Sequence, residues 1–419
     1  MQPLPGFRDF LPDQCAVRNY IFATWREVAR RYGFVEWDAP VLEPTELYRK
    51  KSGNEIVGQL FNFTDKGERE VAMRPELTPS LARVVAAHHR EFKKPLKWFA
   101  IPQCFRYEKQ QRGRLREHFQ LNCDLIGEAS VEADTELLAL AIDLLRAFGF
   151  SPDDVVVRIS DREFWIDFFR AQNVAEDCWP ELLQIIDKSE RESREKIAER
   201  LGALAEPVLA ILENGGTSEK LDRILEGLRT RGHGDFAKVD VRIVRGLAYY
   251  TGVVFEVFDR TGKFRAIAGG GRYDNLIAQL SDAAVSLPAV GFAMGDVVLG
   301  ELLAANPAAL QRMRSRLADT RTIDAYVIIA KEERRGDALR EAQSLRDANY
   351  RVDYALTPAK VGKQFQTAEQ LGARIAIIFG DEWPQVAIKN LASGEQQLIA
   401  REELLAHVGR ALSLSTRQP

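Results

Sequence analysis

Two runs of this chain carry side chains suited to a developing negative charge. Arg245-Gly-Leu-Ala-Tyr-Tyr-Thr-Gly-Val-Val-Phe-Glu256 sets a guanidinium and a tyrosine pair just ahead of a β-branched and aromatic strand, residues 253–258, so the polar groups sit at a strand mouth. Ala268-Gly-Gly-Gly-Arg-Tyr-Asp274 follows, and adjacent glycines let backbone approach a ligand where a Cβ would collide. On spacing alone, the plainer account is a glycine-rich hairpin turn beside a surface arginine. Arg74-Pro-Glu-Leu-Thr78 places a carboxylate and a hydroxyl two residues apart, on one side of an extended segment, where both could receive an ammonium group. Thr78 could equally cap a helix, with Glu76 in solvent. Gln120 and Asp124 lie four apart on an alternating strand and so share a face. Before them runs a basic loop, Glu108-Lys-Gln-Gln-Arg-Gly-Arg-Leu-Arg116, which by itself is a cationic hairpin paired with surface acids.

Hydrophobic periodicity supplies the elements that must hold these groups. Val17, Ile21, Trp25, Val28 and Tyr32 recur at helical spacing, predicting a helix over residues 13–32 closed by Gly33. Residues 34–44 alternate and then stop at prolines, which suits an edge or interface strand. Strands are read at 60–64, 71–74, 96–107 and 119–126, with helices at 78–89 and Val131–Phe148. Residues 162–235 are charge-dense and helical, their charges on solvated faces. After Thr322 comes regular alternation: strand Ala325–Ile329, helix 337–348, strand 351–356, helix 360–371, strand 375–380. That order implies a small α/β domain with a largely parallel sheet.

A chain of 419 residues suggests two or three domains. Net charge −3 gives no global basic field, so any nucleic-acid contact must be local, and composition alone favours a metabolic enzyme. No apolar run approaches membrane-spanning length, and the N-terminal residues lack a basic region followed by an apolar core, so a cytoplasmic protein is expected. Cys15, Cys104, Cys123 and Cys178 are too scattered for a zinc site or a disulfide framework.

The wording of the runs is more specific than their spacing. Residues 245–250 and 269–274 resemble RGLDYY and GGGRYD, the signatures that set histidyl-tRNA synthetases apart from other class II synthetases. The helix, strand and prolines of residues 13–44 resemble class II motif 1, which in the family builds the dimer interface. Phe105-Arg-Tyr-Glu108 with Gly113-Arg-Leu-Arg116 resembles motif 2. The C-terminal block, with Lys363-Gln-Phe365 and Leu371-Gly-Ala-Arg374, resembles the anticodon-binding domain. This resemblance covers nearly the whole chain. It implies an α+β catalytic domain, with a class II antiparallel sheet flanked by helices, over residues 1–320. A helical insertion at about 162–235 and an α/β anticodon-binding domain at 321–419 complete the expected organisation. The implied activity is histidine–tRNA ligation by a homodimer: ATP activates L-histidine as histidyl-adenylate, Mg²⁺ bridges ATP oxygens, and the histidyl group passes to the 3′ end of histidine tRNA.

The resemblance also implies residue roles. Glu76 and Thr78 hold the amino group of histidine, and Gln120, Asp124, Tyr249 and Tyr250 complete its pocket. Neutral imidazole offers one donor and one acceptor, so Asp124 takes the first and a tyrosine hydroxyl the second. ATP falls to Arg106, Glu108, Arg114, His118 and Arg245. Attack of a carboxylate on the α-phosphorus builds charge on non-bridging oxygens, which a fixed guanidinium can pair with, so Arg106 and Arg245 are the catalytic candidates. The carboxylate is already an anion and needs no general base. Gln111 matches the residue that reads the extra 5′ guanosine of histidine tRNA.

Several positions depart from the family. Ala248 stands for its aspartate, Lys109 and Gln110 for Arg-Pro, and His118-Phe119 inverts the usual order, so an imidazole falls where an adenine-stacking aromatic is expected. In Val290-Gly-Phe-Ala-Met-Gly-Asp-Val-Val-Leu299, Val298 occupies the motif 3 arginine position, whose family role is the ATP γ-phosphate. A valine cannot hold phosphate. The changes mark a divergent branch, similar to the GDxV form of organelle-type plant members. The lost arginine favours an alternative, a non-catalytic histidine-sensing regulatory paralogue of ATP phosphoribosyltransferase. The C-terminal domain, together with Arg106, Arg114 and Arg245, favours the ligase, since a sensor has no anticodon to read and no phosphate to neutralise.

Overall fold

The computed structural model describes residues 2–52, 58–109, 111, 113–245, 249–318 and 323–414; Gln110, Ala248 and the expected 320/321 domain junction lie outside them. The chain divides into two compact units, Met1–Ser315 and Arg316–Pro419.

The first unit is built on a nine-stranded sheet. Its strands run in the order Val35–Glu36, Leu96–Ala100, Glu117–Ile126, Ala289–Gly295, Ala268–Arg272, Val253–Asp259, Val155–Asp161 and Ala237–Val239, with Gln103–Phe105 paired beside Glu117–Ile126. Inner pairs are antiparallel and the two outermost pairs parallel. The stretch read as one strand over 96–107 breaks at Pro102, which cannot donate to a ladder. Residues 34–44 likewise split: Val35–Glu36 joins the large sheet, while Leu42–Pro44 pairs with Glu70–Met73 in a separate three-stranded sheet. Val155–Asp161, a β-branched run, was not anticipated as a strand.

The glycine run corrects the hairpin-turn reading. Ala268–Arg272 is an inner strand between Val253–Asp259 and Ala289–Gly295. A Cβ at Gly270 would lie 2.2 Å from the Gly291 carbonyl oxygen, so glycine here serves close approach of neighbouring backbone rather than a turn.

Helices Pro12–Arg31, Val131–Phe148 and Glu219–Thr230 cover one face of the sheet. Trp25, Leu137, Leu144 and Leu228 meet Leu121, Val157, Phe255 and Phe292 in one apolar core. The charge-dense region is helical as expected, yet its helices bury two separate stripes. Glu219–Thr230 sends Leu221, Ile224 and Leu228 into the main core. Arg162–Ala171, Trp179–Asp187, Arg194–Leu201 and Ala205–Asn214 close around their own cluster, including Trp165, Ile186, Ile197 and Val208.

In the second unit five strands run in the order Val352–Tyr354, Ala325–Ile329, Ile375–Phe379, Gln385–Asn390, Gln396–Ala400. The first three are parallel and the last two antiparallel, so the sheet is mixed rather than largely parallel. Gln364 is buried and its amide bonds both Ile329 N and Ile329 O at 2.9 Å, tying helix Val361–Gln370 to the strand end. Among the described residues no helix is long and apolar enough to cross a membrane.

Candidate active site

Along Glu117–Ile126, alternation sends Leu121, Cys123 and Leu125 into the helix-covered core. Gln120, Asn122 and Asp124 face the other way and line an open cavity. The same cavity gathers Glu76, Thr78, Arg106, Arg245, Tyr249 and Tyr250 from three other segments.

Glu76 and Thr78 reach it differently from the extended arrangement expected. Leu77 has right-handed helical backbone angles and Thr78 opens helix Thr78–His88 at its first turn, with no side-chain cap bond from Leu77. The capping alternative for Thr78 therefore fails too, while both side chains still line the cavity. Arg74, just before them, is spent on the fold: it donates to Gln103 O, Ala39 O and Asp38.

Asp124 is buried, and burial pushes its carboxyl up to about 7, opposed by the hydrogen bond from Tyr273 Oη at 2.5 Å. Its strand partner is Gly291, where a Cβ would lie 2.0 Å from Asp124 Oδ1. The glycine makes room for the carboxylate. Tyr249 and Tyr250 line the same cavity, their rings tilted at 40° with centroids 4.6 Å apart.

Arg245 is not a surface arginine. Its side chain is 19% exposed, and Nη1 lies 3.0 Å from Glu256 Oε1. Its φ of 51° is left-handed, unusual without glycine and found where surroundings fix a functional group. Asp187, from the helical insertion, accepts a hydrogen bond from the Arg245 backbone. A Cβ at Gly269 would lie 1.7 Å from Arg245 Nη1, so the first glycine of the triplet is the space the guanidinium occupies. Arg106 lines the same cavity, its Nε donating to Pro75 O at 2.9 Å.

Beyond Arg106 the basic loop continues the series. Arg114 pairs with Glu108 at 2.6 Å. His118 is half-buried, and burial, with Arg106, Arg8 and Arg114 nearby, pushes its imidazole down to about 3, leaving an uncharged ring that can stack on a base. Gln111 is exposed and its side-chain oxygen accepts from Arg265 at 3.1 Å. In the 290–299 segment, Asp296 accepts from Phe119 N at 2.9 Å and pairs with Arg8, which also holds Glu117.

Other contributors had been given no role. Asn122 shares the face of Gln120 and Asp124, a consequence of period-two alternation that was available in the sequence. Arg272 is a framework residue: its guanidinium meets Asp134, Asp274, Glu128 O and Ser130 O. Glu256 shows as a lone acid in an apolar strand, a pattern that signals a buried partner. Asp187 left no such signal.

A family model described as histidyl-tRNA synthetase matches residues 6–296, and one described as anticodon binding domain matches residues 324–410. The histidine–tRNA ligase of Opitutus terrae is 43% identical, covering 97% of this chain and 98% of its own. The chloroplastic/mitochondrial histidine–tRNA ligase of Arabidopsis thaliana is 38% identical, covering 96% of this chain and 86% of its own. The crystal structure of histidyl-tRNA synthetase from Nostoc sp. PCC 7120 shares the fold, with a TM-score of 0.74 at 24% identity over 98% of this chain and 99% of that one.

Proposed function

The chain belongs to the histidyl-tRNA synthetase family, and from that footing we propose how its own residues join histidine to tRNA. Its substrates are L-histidine, ATP and tRNA. Glu76 and Thr78 accept hydrogen bonds from the ammonium group. Asp124, steadied by Tyr273 and given room by Gly291, accepts from one imidazole nitrogen, and Tyr250 serves the other, with Tyr249 and Gln120 closing the pocket. Leaving any of these polar groups unpaired is what rejects other amino acids.

Activation requires the histidine carboxylate oxygen to bond the α-phosphorus while pyrophosphate leaves. Arg106 and Arg245 line the same cavity as the amino-acid pocket and pair with the non-bridging oxygens as their charge grows. Glu108, Arg114 and neutral His118 hold the rest of the nucleotide. Mg²⁺ brought in with ATP would offset the charge of the phosphates. Gln111 reads the 5′ end of the tRNA. The catalytic domain comprises residues 1–320, with the anticodon domain at 321–419. The cytoplasm is the site of action. A homodimer forms across the motif 1 region, where Val35, Val41 and Leu42 are exposed apolar residues in need of cover.

The observation that carries this reading is the meeting of amino-acid acceptors and two arginines in one cavity. A histidine sensor would have no use for Arg106 and Arg245 there. Histidine-dependent exchange of pyrophosphate into ATP by the pure protein tests it. Exchange is expected, and its absence with intact histidine binding would move the chain to the regulatory alternative.

A further inference from the structure

We propose that Arg265, in the turn between strands Val253–Asp259 and Ala268–Arg272, supplies the cation for the terminal phosphates of ATP at the place where Val298 cannot. The inference rests on the ligase reading above. A second cavity is lined by Gln111, Gly113, Lys263, Arg265, Val298 and Glu301. Three of these meet at one point: a Cβ on Gly113 would lie 3.1 Å from Val298 Cγ2 and 3.5 Å from Arg265 Cδ. The Arg265 side chain therefore reaches the spot that the residue at 298 abuts.

Charge argues for an anion there. Arg8, Arg158, Arg242 and Arg272 each face carboxylates within 3.2 Å. Arg265 instead has a side-chain amide as its hydrogen-bond partner, Gln111 Oε1 at 3.1 Å. Partial desolvation first, then Arg114 and Arg191, lower the proton affinity of this otherwise exposed guanidinium, with Glu108 opposing. Lys263 adds another cation to the same wall, where Glu301 is the carboxylate. A guanidinium crowded by like charge is relieved by a bound polyanion.

The location is also on the line a triphosphate must take. Arg106 lines the histidine cavity, His118 feels both Arg106 and Arg114, and Arg114 is close enough to act on Arg265. A nucleotide with its α-phosphate between Arg106 and Arg245 extends its terminal phosphates along that series. The same chemistry would suit the 5′ phosphate of a tRNA, so the test separates the two.

In pyrophosphate exchange without tRNA, Arg265→Ala should raise the KM for ATP about 10- to 100-fold, the loss typical of one charged contact, with the KM for histidine within about twofold. Calorimetry should show ATP affinity falling toward that of AMP, while AMP binding holds. Adding Val298→Arg to Arg265→Ala should recover much of the loss; if that double variant fails to fold, the ATP against AMP comparison decides alone. Unchanged exchange with slowed transfer from preformed adenylate would assign Arg265 to tRNA phosphate and overturn the proposal, as would no change in either step. Absence of exchange in the unaltered protein would instead strike the ligase reading itself.

Discussion

Gly269→Ala should remove the Arg245 guanidinium from the active site without unfolding the sheet. The added Cβ would lie 1.7 Å from Arg245 Nη1, 2.9 Å from its Cζ and 3.3 Å from Phe255 O. The first two atoms belong to the far end of a long side chain, so the arginine swings away and the strand persists. Its 3.0 Å contact with Glu256 is lost. Glu256, whose carboxyl burial already pushes upward, takes a proton instead of standing as an unpaired charge. Alanine also restricts the unfolded chain, worth about 0.4–1 kcal/mol in favour of folding, so net stability should change by no more than about 1 kcal/mol. Catalysis loses one of two α-phosphate cations. Loss of such a donor costs on the order of 10²–10³ in rate, or about 3–4 kcal/mol of transition-state stabilisation. Pyrophosphate exchange at saturating substrates should fall to the level of Arg245→Ala, and the double variant should fall no further, because both changes remove one interaction. Histidine affinity by calorimetry should hold within about threefold. Gly270→Ala is the contrast: its Cβ would meet Gly291 O at 2.2 Å and Phe292 Cα at 2.6 Å, main-chain atoms that cannot step aside, and the protein should melt at much lower temperature. Full exchange activity in Gly269→Ala, with its melting temperature intact, would refute the placement of Arg245 on the phosphate.

Asp124 makes stability and binding depend on pH. Its carboxyl, raised to about 7 by burial, holds a proton in the native state that an unfolded aspartate releases near 3.9, so its contribution to stability is lost as pH climbs from about 4 to 7. Asp124→Asn should flatten that slope in melting temperature against pH, and an identical slope would count against the buried-carboxyl account. The pocket takes a neutral imidazole whose N–H is accepted by the ionised Asp124. With imidazole titrating near 6.5 and Asp124 raised to about 7, histidine affinity should therefore weaken as pH falls below about 7. Asp124→Asn should bind more weakly at neutral pH and lose the part of that acid fall which comes from protonating Asp124. Gln111→Ala should blunt discrimination between tRNAs with and without the extra 5′ guanosine by about 1–3 kcal/mol and spare pyrophosphate exchange. Undiminished discrimination in charging assays would free Gln111 of that role.

The parts of the site that follow a short period were legible in the sequence. Gln120 and Asp124 share a face because strands alternate, and the same rule offered Asn122. The nearly continuous apolar pattern of Val131–Phe148 gave the helix that buries Leu137, Leu144 and Phe148 under the sheet. Glycines were harder, since a triplet suits a turn and a crowded inner strand alike, and only the positions of Arg245, Phe255 and Phe292 decide between them. The second unit's hairpin, Gln385–Asn390 with Gln396–Ala400, escaped because its outer strand is largely polar and exposed. Asp187 and Arg265 reach the site through tertiary placement, from a helix end and a turn, where no periodicity marks them. Val298, which the sequence exposed as a gap, gains a physical neighbour in Arg265 only once the chain is folded.

A crystal structure of the protein with a non-hydrolysable sulfamoyl analogue of histidyl-adenylate would measure most directly whether one cavity both recognises the imidazole and neutralises the phosphate. The sulfamoyl oxygens stand in for the non-bridging oxygens of the α-phosphate. An imidazole nitrogen within about 3.2 Å of Asp124, with the sulfamoyl oxygens contacted by Arg106 and Arg245, is the predicted result. An imidazole lodged elsewhere, with Asp124 still bonded to Tyr273 alone and Arg245 turned to Glu256, would contradict it.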